Sequence, residues 1–286
     1  MSITEAELSA AIEVALYAAR AATDIINKSI NERLSPILNV NTKSNSTDWV
    51  TQYDMQCEEE VLNALLAGTP DYAVISEETQ ADLPLGDGPT WVVDPIDGTI
   101  SFAHGLYDCC VSIALVVNKE PILGVISAPR LQEIYTAAKG RGAYCNGQRI
   151  HVSNTTTLDD SVVIIHQPYN RSQTCVEAVL NIQREFLRLP VQSVRCYGSA
   201  ALNMCFVASG KADLYFEVGF NAWDYAAGAI IIREAGGVVH DVDNTNTLNL
   251  MGRAMCCGPN KAITLKAIEV MDKYNYRDAV YTVEST

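Results

Sequence analysis

The sequence predicts a mixed α/β protein of two halves, and three observations support this fold class. Apolar residues recur at helical spacing in the first 34 residues, short apolar strands joined by tight turns fill residues 109–144, and helices alternate with short strands after residue 160. Helical and strand periodicities in separate segments are typical of layered helices and sheets. A chain of 286 residues can bury one large core or two smaller ones.

The composition is that of an ordinary globular protein with a strongly acidic balance. Hydrophobic residues make up 48% and charged residues 19% of the chain, and the formal net charge is −14. This charge argues against nucleic acid or an anionic membrane surface as a partner. An anionic substrate would need metal ions to mediate its contact with such a protein.

The cysteine pattern and the absence of an export signal predict a cytoplasmic protein. None of the nine cysteines forms a CxxC pair, and most lie in apolar surroundings, which indicates buried free thiols in a reducing compartment. Residues 1–5 show no basic region followed by an apolar core. No apolar run approaches the roughly 20 residues of a membrane span.

The first segment is predicted to be helical and structural. Apolar spacing predicts one long amphipathic helix over residues 5–34, an exposed connection over 35–47 and a second helix over Met55–Leu66. Asp48 and Asp54 both precede the start of the second helix. Taken alone, they are either solvated loop and helix-cap acids or members of a site.

A short strand over Asp71–Ile75 is predicted next, followed by Glu77 and Glu78. Paired acids after a strand usually form a polar loop. They matter to function only if Glu77 turns inward toward Asp94. Residues 80–89, rich in acids, prolines and glycines, are predicted to form a surface loop.

The stretch from Trp91 to Phe102 carries the strongest functional signal. Trp91–Val93 predicts a buried strand that stops at Asp94, because Pro95 cannot continue the hydrogen-bond ladder. Two carboxylates three residues apart, followed by a Gly-Thr pair with free backbone N–H groups, suit divalent cations and a bound anion. Such hard oxygen ligands favour Mg²⁺ or Mn²⁺ over zinc. The alternative is an Asp-Gly turn with Asp94 as a helix cap.

The rest of the first half is predicted to be a set of hairpins. Strands are predicted over 109–117, 122–126, 133–138 and 143–144, with turns at Gly140–Gly142 and Asn146–Gly147. The basic residues near these glycines fit no phosphate-loop spacing, so a hairpin is the better interpretation. The polar segment 152–160 is predicted to divide an N-terminal domain, residues 1–152, from a C-terminal domain, residues 153–286.

The second half is predicted to alternate strands and helices. Strands are predicted over 162–166, near 191–194 and over 212–217, and helices over 175–186, 200–209 and 223–235. Asp224 at the start of the last helix is either a cap or a carboxylate aimed into a cleft between the domains. His166 at a strand end is weak evidence of a site. Residues 241–246 lack the glycine and closing glutamate of a calcium loop, and no GxSxG or HExxH motif occurs.

Two motifs in this chain resemble the signatures of the inositol monophosphatase family of Mg²⁺-dependent, lithium-sensitive sugar phosphatases. They are Asp94-Pro95-Ile96-Asp97-Gly98-Thr99 with Phe102, and Trp223-Asp224 running to Glu234-Ala235-Gly236-Gly237. Asp48-x-Val50-Thr51-x-x-Asp54 and Glu77-Glu78 also fall where that family has its other motifs. The resemblance covers about residues 8–270. It implies an α+β sugar-phosphatase fold with alternating layers, αβαβα.

The resemblance also implies a set of site residues. Two or three Mg²⁺ ions, with Mn²⁺ as a possible substitute, would be held by Glu77, Asp94, the carbonyl of Ile96, Asp97 and Asp224. Thr99 and Asp54, helped by Glu77, would orient and deprotonate a metal-activated water for in-line attack on phosphorus. Substrate would be contacted by Asp97, Gly98, Thr99, Gly198, Ser199, Ala200, Glu217 and Asp224.

The chain departs from the family pattern at three places that concern loop shape. Ile100-Ser101 stands where relatives have x-Asn, Ser76 replaces a glycine before the glutamate pair, and Leu106-Tyr107-Asp108 replaces a proline-containing segment. None of these changes removes a ligand. They put substrate preference in question rather than catalysis.

The resemblance implies a homodimer that hydrolyses myo-inositol monophosphates, a small-molecule phosphate ester substrate, and the cysteine pattern adds the expected cytoplasmic location. Alternative substrates are fructose 1,6-bisphosphate, a sugar 1-phosphate and an adenosine 3′,5′-bisphosphate. An alternative of another class is a catalytically silent metal-binding regulator, against which the intact set Glu77, Asp94, Asp97, Thr99 and Asp224 argues.

Overall fold

The computed structural model describes residues 3–32, 41–42, 49–242 and 247–281. Asp48 lies outside these ranges, as does the predicted connection 35–47 apart from residues 41–42, so the two interpretations of Asp48 stay open. Within the described residues the chain forms these α-helices: α1 Glu5–Glu32, α2 Gln52–Gly68, α3 Thr99–His104, α4 Gln173–Arg188, α5 Ala200–Ala208, α6 Ala222–Glu234, α7 Lys261–Lys273 and α8 Tyr276–Tyr281.

The first half of the chain contributes a short ribbon and one large sheet. The ribbon pairs β1 (Asn41–Thr42) with β2 (Trp49–Val50). In the large sheet β3 and β4 run parallel, and every later neighbour is antiparallel. Its order follows the chain: β3 Ala73–Ser76, β4 Thr90–Asp97, β5 Cys110–Val117, β6 Glu120–Ala128, β7 Glu133–Ala138, β8 Gly142–Cys145 and β9 Gln148–Arg149.

The second half contributes a five-stranded sheet of mixed direction, in the order β11-β10-β12-β14-β13. The first three of these strands run parallel, whereas β14 is antiparallel to both of its neighbours. The strands are β10 Val162–Ile165, β11 Ser193–Arg195, β12 Leu214–Val218, β13 Val238–His240 and β14 Ala254–Gly258.

Helices and sheets alternate in five layers, which confirms the layered fold class. One apolar cluster joins α1 and α2 to the large sheet through residues such as Ala15, Val61 and Trp91. A second cluster places α5 and α6 between the two sheets, and a third packs α4, α7 and α8 against the outer face of the smaller sheet. Because α5 and α6 share a core with both sheets, the predicted domain boundary at residue 152 stays a prediction.

The strand that carries the acidic motif differs from its prediction. It was expected to stop at Asp94, but β4 continues to Asp97. Pairing with β5 breaks after Asp94 opposite Ser112 and resumes at Asp97 opposite Cys110. Pro95 therefore interrupts the ladder as expected, and an irregularity of two residues absorbs it without ending the strand.

Most predicted elements occur within a few residues of their expected bounds, and the two predicted turns are present. Asn146 and Gly147 both have positive φ, 49° and 76°, which is typical of a tight hairpin between β8 and β9. The strands β13 and β14 and the helices α7 and α8 were not predicted. All nine cysteines lie in the described ranges and are free thiols, as expected.

Helix α6 is fixed along its length by the large sheet. A Cβ built on Gly124 of β6 would lie 2.5 Å from the carbonyl oxygen of Ala227, so only glycine permits this close approach. At the far end of the helix, the Glu234 carboxylate accepts hydrogen bonds of 2.8 Å from the backbone N–H groups of Gly140 and Gly142 in the β7–β8 hairpin. No helix in the described part of the chain is long and apolar enough to cross a bilayer.

Candidate functional site

Three aspartates from separate parts of the sequence meet at one point of the structure. Asp94 and Asp97 lie at the end of β4, and Asp224 lies in the first turn of α6. One carboxylate oxygen of each lies within 4.8 Å of the others. Asp94 and Asp97 are buried, and Asp224 is half-buried. The expected approach of Asp224 to Asp94 from the second half of the chain is therefore present.

Asp97 is held by the start of α5. Its Oδ2 atom accepts hydrogen bonds from Ser199 Oγ at 2.6 Å and from the backbone N–H of Ala201 at 2.7 Å. Ser199 is also the N-cap of α5 and accepts from the backbone N–H of Leu202. Burial nevertheless raises the pKa of Asp97 to about 7, because the loss of hydration outweighs the two hydrogen bonds.

Asp94 and Asp224 each use one oxygen on local backbone. Asp94 Oδ1 accepts from the N–H of Ile96 at 3.0 Å, and Asp224 Oδ2 accepts from the N–H of Asn221 at 2.6 Å. Burial raises the pKa of both carboxyls well above their ordinary range, and repulsion from the neighbouring acids raises it further. Buried acids in mutual repulsion need a proton or a cation at neutral pH, and their oxygen donors fit a hard divalent cation.

Glu77 joins this group from the end of β3. Its backbone N–H donates to the carbonyl of Val93 at 3.2 Å, and its side chain is near enough to Asp94 to raise the pKa of that carboxyl. It lines a small cavity of about 40 Å³ together with the three aspartates. Ile96, Gly98 and Thr99 line the same cavity. The predicted metal ligands are thus adjacent, although Glu77 is not one of the residues whose oxygens lie within 4.8 Å.

Asp54 caps α2 and also accepts a hydrogen bond from Thr99. As the third residue of α2 its Oδ2 atom completes a capping box, accepting from Thr51 N at 2.8 Å and Thr51 Oγ1 at 2.6 Å. Its Oδ1 atom accepts from the Thr99 hydroxyl at 3.1 Å. That hydroxyl also lies 3.2 Å from the Ile96 carbonyl, so one proton has two acceptors. Burial, the largest influence, raises the pKa of Asp54 to about 6.

Gly98 must be glycine at the turn into α3. Its φ is +88°, which residues with a side chain rarely adopt, and an added Cβ would lie 2.7 Å from the carbonyl oxygen of Asp108. This conformation directs the following residue, Thr99, toward Asp54 at the beginning of the helix.

A larger cavity of about 530 Å³ opens beside the carboxylates. Among the predicted substrate contacts, it is lined by Asp97, Gly198, Ala200, Glu217 and Asp224. Ser199 does not line it, because the hydroxyl of Ser199 is turned toward Asp97. Glu217 is buried, accepts from the Tyr215 hydroxyl, and has a raised pKa because of its burial.

Several neighbouring residues were not predicted from the sequence. Tyr169 lines both cavities and therefore stands where they meet. His166, which the sequence marked only weakly as a residue at a strand end, lies at the site, with its Nε2 atom 3.5 Å from Glu217 Oε1. The buried carboxylate of Glu58 accepts from the backbone N–H of Glu78 at 2.9 Å and from the Thr79 hydroxyl, and so fixes the loop that carries Glu77. No motif marks Tyr169 or Glu58.

Comparisons with known proteins agree on one family. Residues 7–275 match the model of the inositol monophosphatase family. Inositol monophosphatase 1 of Sus scrofa is 36% identical over 255 residues, which cover 88% of this chain and 90% of that protein. Inositol monophosphatase 1 of Solanum lycopersicum is 39% identical over 232 residues, which cover 80% and 83%.

Solved structures have the same fold. The extragenic suppressor protein SuhB of Bartonella henselae superposes with a TM-score of 0.82 at 31% identity, over 91% of this chain and 98% of that one. The inositol monophosphatase of Anabaena superposes with a TM-score of 0.78 at 30% identity, over 92% and 95%.

Proposed function

This chain belongs to the inositol monophosphatase family, and we propose that it hydrolyses myo-inositol monophosphates to myo-inositol and phosphate in a metal-dependent reaction. The observation that carries the proposal is the group of three aspartate oxygens within 4.8 Å, next to a cavity of about 530 Å³. The proposed activity is also supported by two relatives of similar sequence, the inositol monophosphatases of Sus scrofa and Solanum lycopersicum.

The cation we propose is Mg²⁺, two or three per site, with Mn²⁺ able to substitute. Glu77, Asp94, the Ile96 carbonyl, Asp97 and Asp224 would hold it, and their all-oxygen character supports a hard cation. When bound, the cation would neutralise charge on the phosphoryl and leaving oxygens and lower the pKa of a coordinated water. Without it, the same carboxylates would repel a phosphate ester.

The surrounding residues position the proton and the substrate. Asp54 accepts a hydrogen bond from the Thr99 hydroxyl, so Thr99 can take a proton from the attacking water while its own hydroxyl proton passes to Asp54, with Glu77 as a second acceptor. The backbone N–H groups of Gly98 and Thr99 would bind phosphate oxygens. Gly198, Ala200, Glu217 and Asp224 line the cavity that would take the inositol ring. We also propose that the protein is a cytoplasmic homodimer.

The test is phosphate release from a panel of esters, with and without chelator. We expect hydrolysis of a myo-inositol monophosphate with Mg²⁺, loss of activity in EDTA, and a matched loss in Asp94→Asn. Faster hydrolysis of fructose 1,6-bisphosphate, a sugar 1-phosphate or an adenosine bisphosphate would replace the proposed substrate. Activity that persists in EDTA, or a wild type inactive on every ester, would contradict the proposal.

A further inference from the structure

Asp108 lies between the two turns that meet at the proposed site. It occupies the loop between α3 and β5, in the Leu106-Tyr107-Asp108 segment that departs from the family pattern. Its side chain is buried, with 8% of the residue exposed, although it belongs to none of the proposed ligands. A buried carboxylate needs a partner, since an unpaired charge inside a protein is costly.

The partner of Asp108 is the turn on the far side of the site. Asp108 Oδ2 accepts the backbone N–H of Gly198 at 2.6 Å, across 90 residues of sequence. A hydrogen bond this short to a carboxylate is charge-assisted and therefore among the stronger ones in a protein. Gly198 lines the large cavity, and Ser199 beside it caps α5.

The backbone of Asp108 contacts the other turn. Its carbonyl oxygen lies 2.7 Å from the position of a Cβ on Gly98, so the phosphate-binding turn packs directly on it. A Cβ on Gly198 would lie 2.5 Å from Ser101 Oγ of α3. Asp108 Oδ2 would lie 3.2 Å from the same Cβ, so α3 and the Asp108 carboxylate both pack closely against the turn at Gly198.

We propose that Asp108 is a positioning residue that sets the distance between the phosphate-binding turn, Gly98–Thr99, and the ring-contacting turn, Gly198–Ala200, and thereby determines affinity for ring-bearing substrates. This inference rests on the proposed function. The reason for a selective effect is that Asp97 keeps its own hydrogen bonds from Ser199 and Ala201. Loss of the Asp108 carboxylate frees the Gly198 turn and leaves the aspartate group supported.

The experiment compares kcat and KM for a myo-inositol monophosphate and for glycerol 2-phosphate, which has no ring. In Asp108→Ala we expect KM for the ring ester to rise about tenfold, which is at the lower end of the effects seen when an outer-shell partner is removed. We expect kcat for the ring ester, and both kcat and KM for the ring-free ester, to stay within about twofold of the wild-type values. Asp108→Asn should restore wild-type KM, because the amide oxygen can accept the same N–H. Equal losses on both esters, or an Asn variant that behaves like Ala, would overturn the proposal.

Hydrogen exchange of the Gly198 amide supplies a readout that does not depend on activity. Exchange should accelerate at least tenfold in Asp108→Ala and stay slow in Asp108→Asn, and unchanged exchange in Ala would overturn the positioning role. A wild type inactive on both esters would defeat the proposed function, while the exchange result would still decide the role of Asp108.

A matched control is Asp213→Ala. Asp213 is a buried carboxylate that also accepts a distant backbone N–H, from Val162 at 2.7 Å, but it lies in neither cavity lining. We expect it to lower the melting temperature without changing KM, and a KM change equal to that of Asp108→Ala would overturn the proposal. If Asp108→Ala does not fold, Asp108→Glu replaces it. Its longer carboxylate should displace the Gly198 turn and raise KM for the ring ester, and wild-type KM would count against the proposal.

Discussion

At the scale of single residues, we propose that the hydrogen-bonded pair Thr99 and Asp54 is the part of the site that moves a proton. Thr99→Ala and Asp54→Asn should each lower kcat by about 10² to 10³, within the range for lost acid–base assistance. Because both changes break one relay, the double variant should be little worse than either alone. Steady-state kinetics of the three variants test this, and losses that multiply would show that the residues act independently.

The same pair predicts a dependence on pH. Burial raises the pKa of Asp54 to about 6, and only the ionised carboxylate can act as the base for the Thr99 hydroxyl. We therefore expect kcat/KM to fall as the pH decreases below about 6, by up to tenfold per pH unit for a single essential base. A pH profile at saturating Mg²⁺ measures this, and in Asp54→Asn the acid limb should shift or disappear.

Glu58 contacts the loop that carries Glu77, and we expect it to position Glu77 through that loop. It fixes the loop after β3 by accepting from Glu78 and Thr79, and Glu77 precedes both. Glu58→Ala should raise the Mg²⁺ concentration for half-maximal activity by about tenfold, a typical effect of removing an outer-shell partner. Glu59→Ala is the matched control, since Glu59 is exposed on the same helix. Identical Mg²⁺ titrations of the two variants would contradict this role.

At the scale of elements, helix α6 brings Asp224, from the second half of the chain, to strand β4 of the first half. The pKa of Asp224 is raised by burial and by Asp97 and Glu77, so its ionised form destabilises the metal-free protein as the pH rises above the ordinary range of aspartate. Asp224→Asn should therefore be nearly inactive, yet at least as stable as wild type without metal near pH 7.5.

Thermal melts with and without Mg²⁺ test the prediction for Asp224→Asn. The wild type should gain several degrees on addition of Mg²⁺, because a ligand that binds only the native state stabilises it. The variant should gain less. A metal-free variant that melts below wild type at pH 7.5 but not at pH 4 would show that the Asp224 hydrogen bond to Asn221 outweighs the repulsion.

At the scale of the whole molecule, the sequence predicted what depends on local pattern. Helical spacing located α1, α4, α5 and α6, and turn residues located the hairpins of the large sheet. Strand β4 was predicted too short, because a local rule for Pro95 cannot show that pairing with β5 resumes two residues later. No element was predicted after residue 237, although apolar residues recur at helical spacing in Lys261–Lys273.

The residues of the candidate site also fall into those that local sequence pattern predicts and those that it does not. Asp94 and Asp97 share one motif, so their proximity follows from the sequence, and the family resemblance added Asp224. Asp108, Glu58 and Tyr169 could not be predicted, because their importance depends on contacts with distant backbone or on a place between two cavities. Such contacts arise only when the layers are assembled.

The two hydrogen bonds from the β7–β8 hairpin to Glu234 hold the outer end of α6, and the first turn of the same helix carries Asp224 of the candidate site. With 13 residues at 1.5 Å each, helix α6 is about 20 Å long. Asp224 lies in the first turn of α6 and Glu234 in the last. A displacement of the helix at Glu234 can therefore change the position of Asp224. We therefore expect a surface tag or crosslink at Gly140, which would disturb the hydrogen bond to Glu234 without touching any proposed ligand, to change the affinity of the site for Mg²⁺.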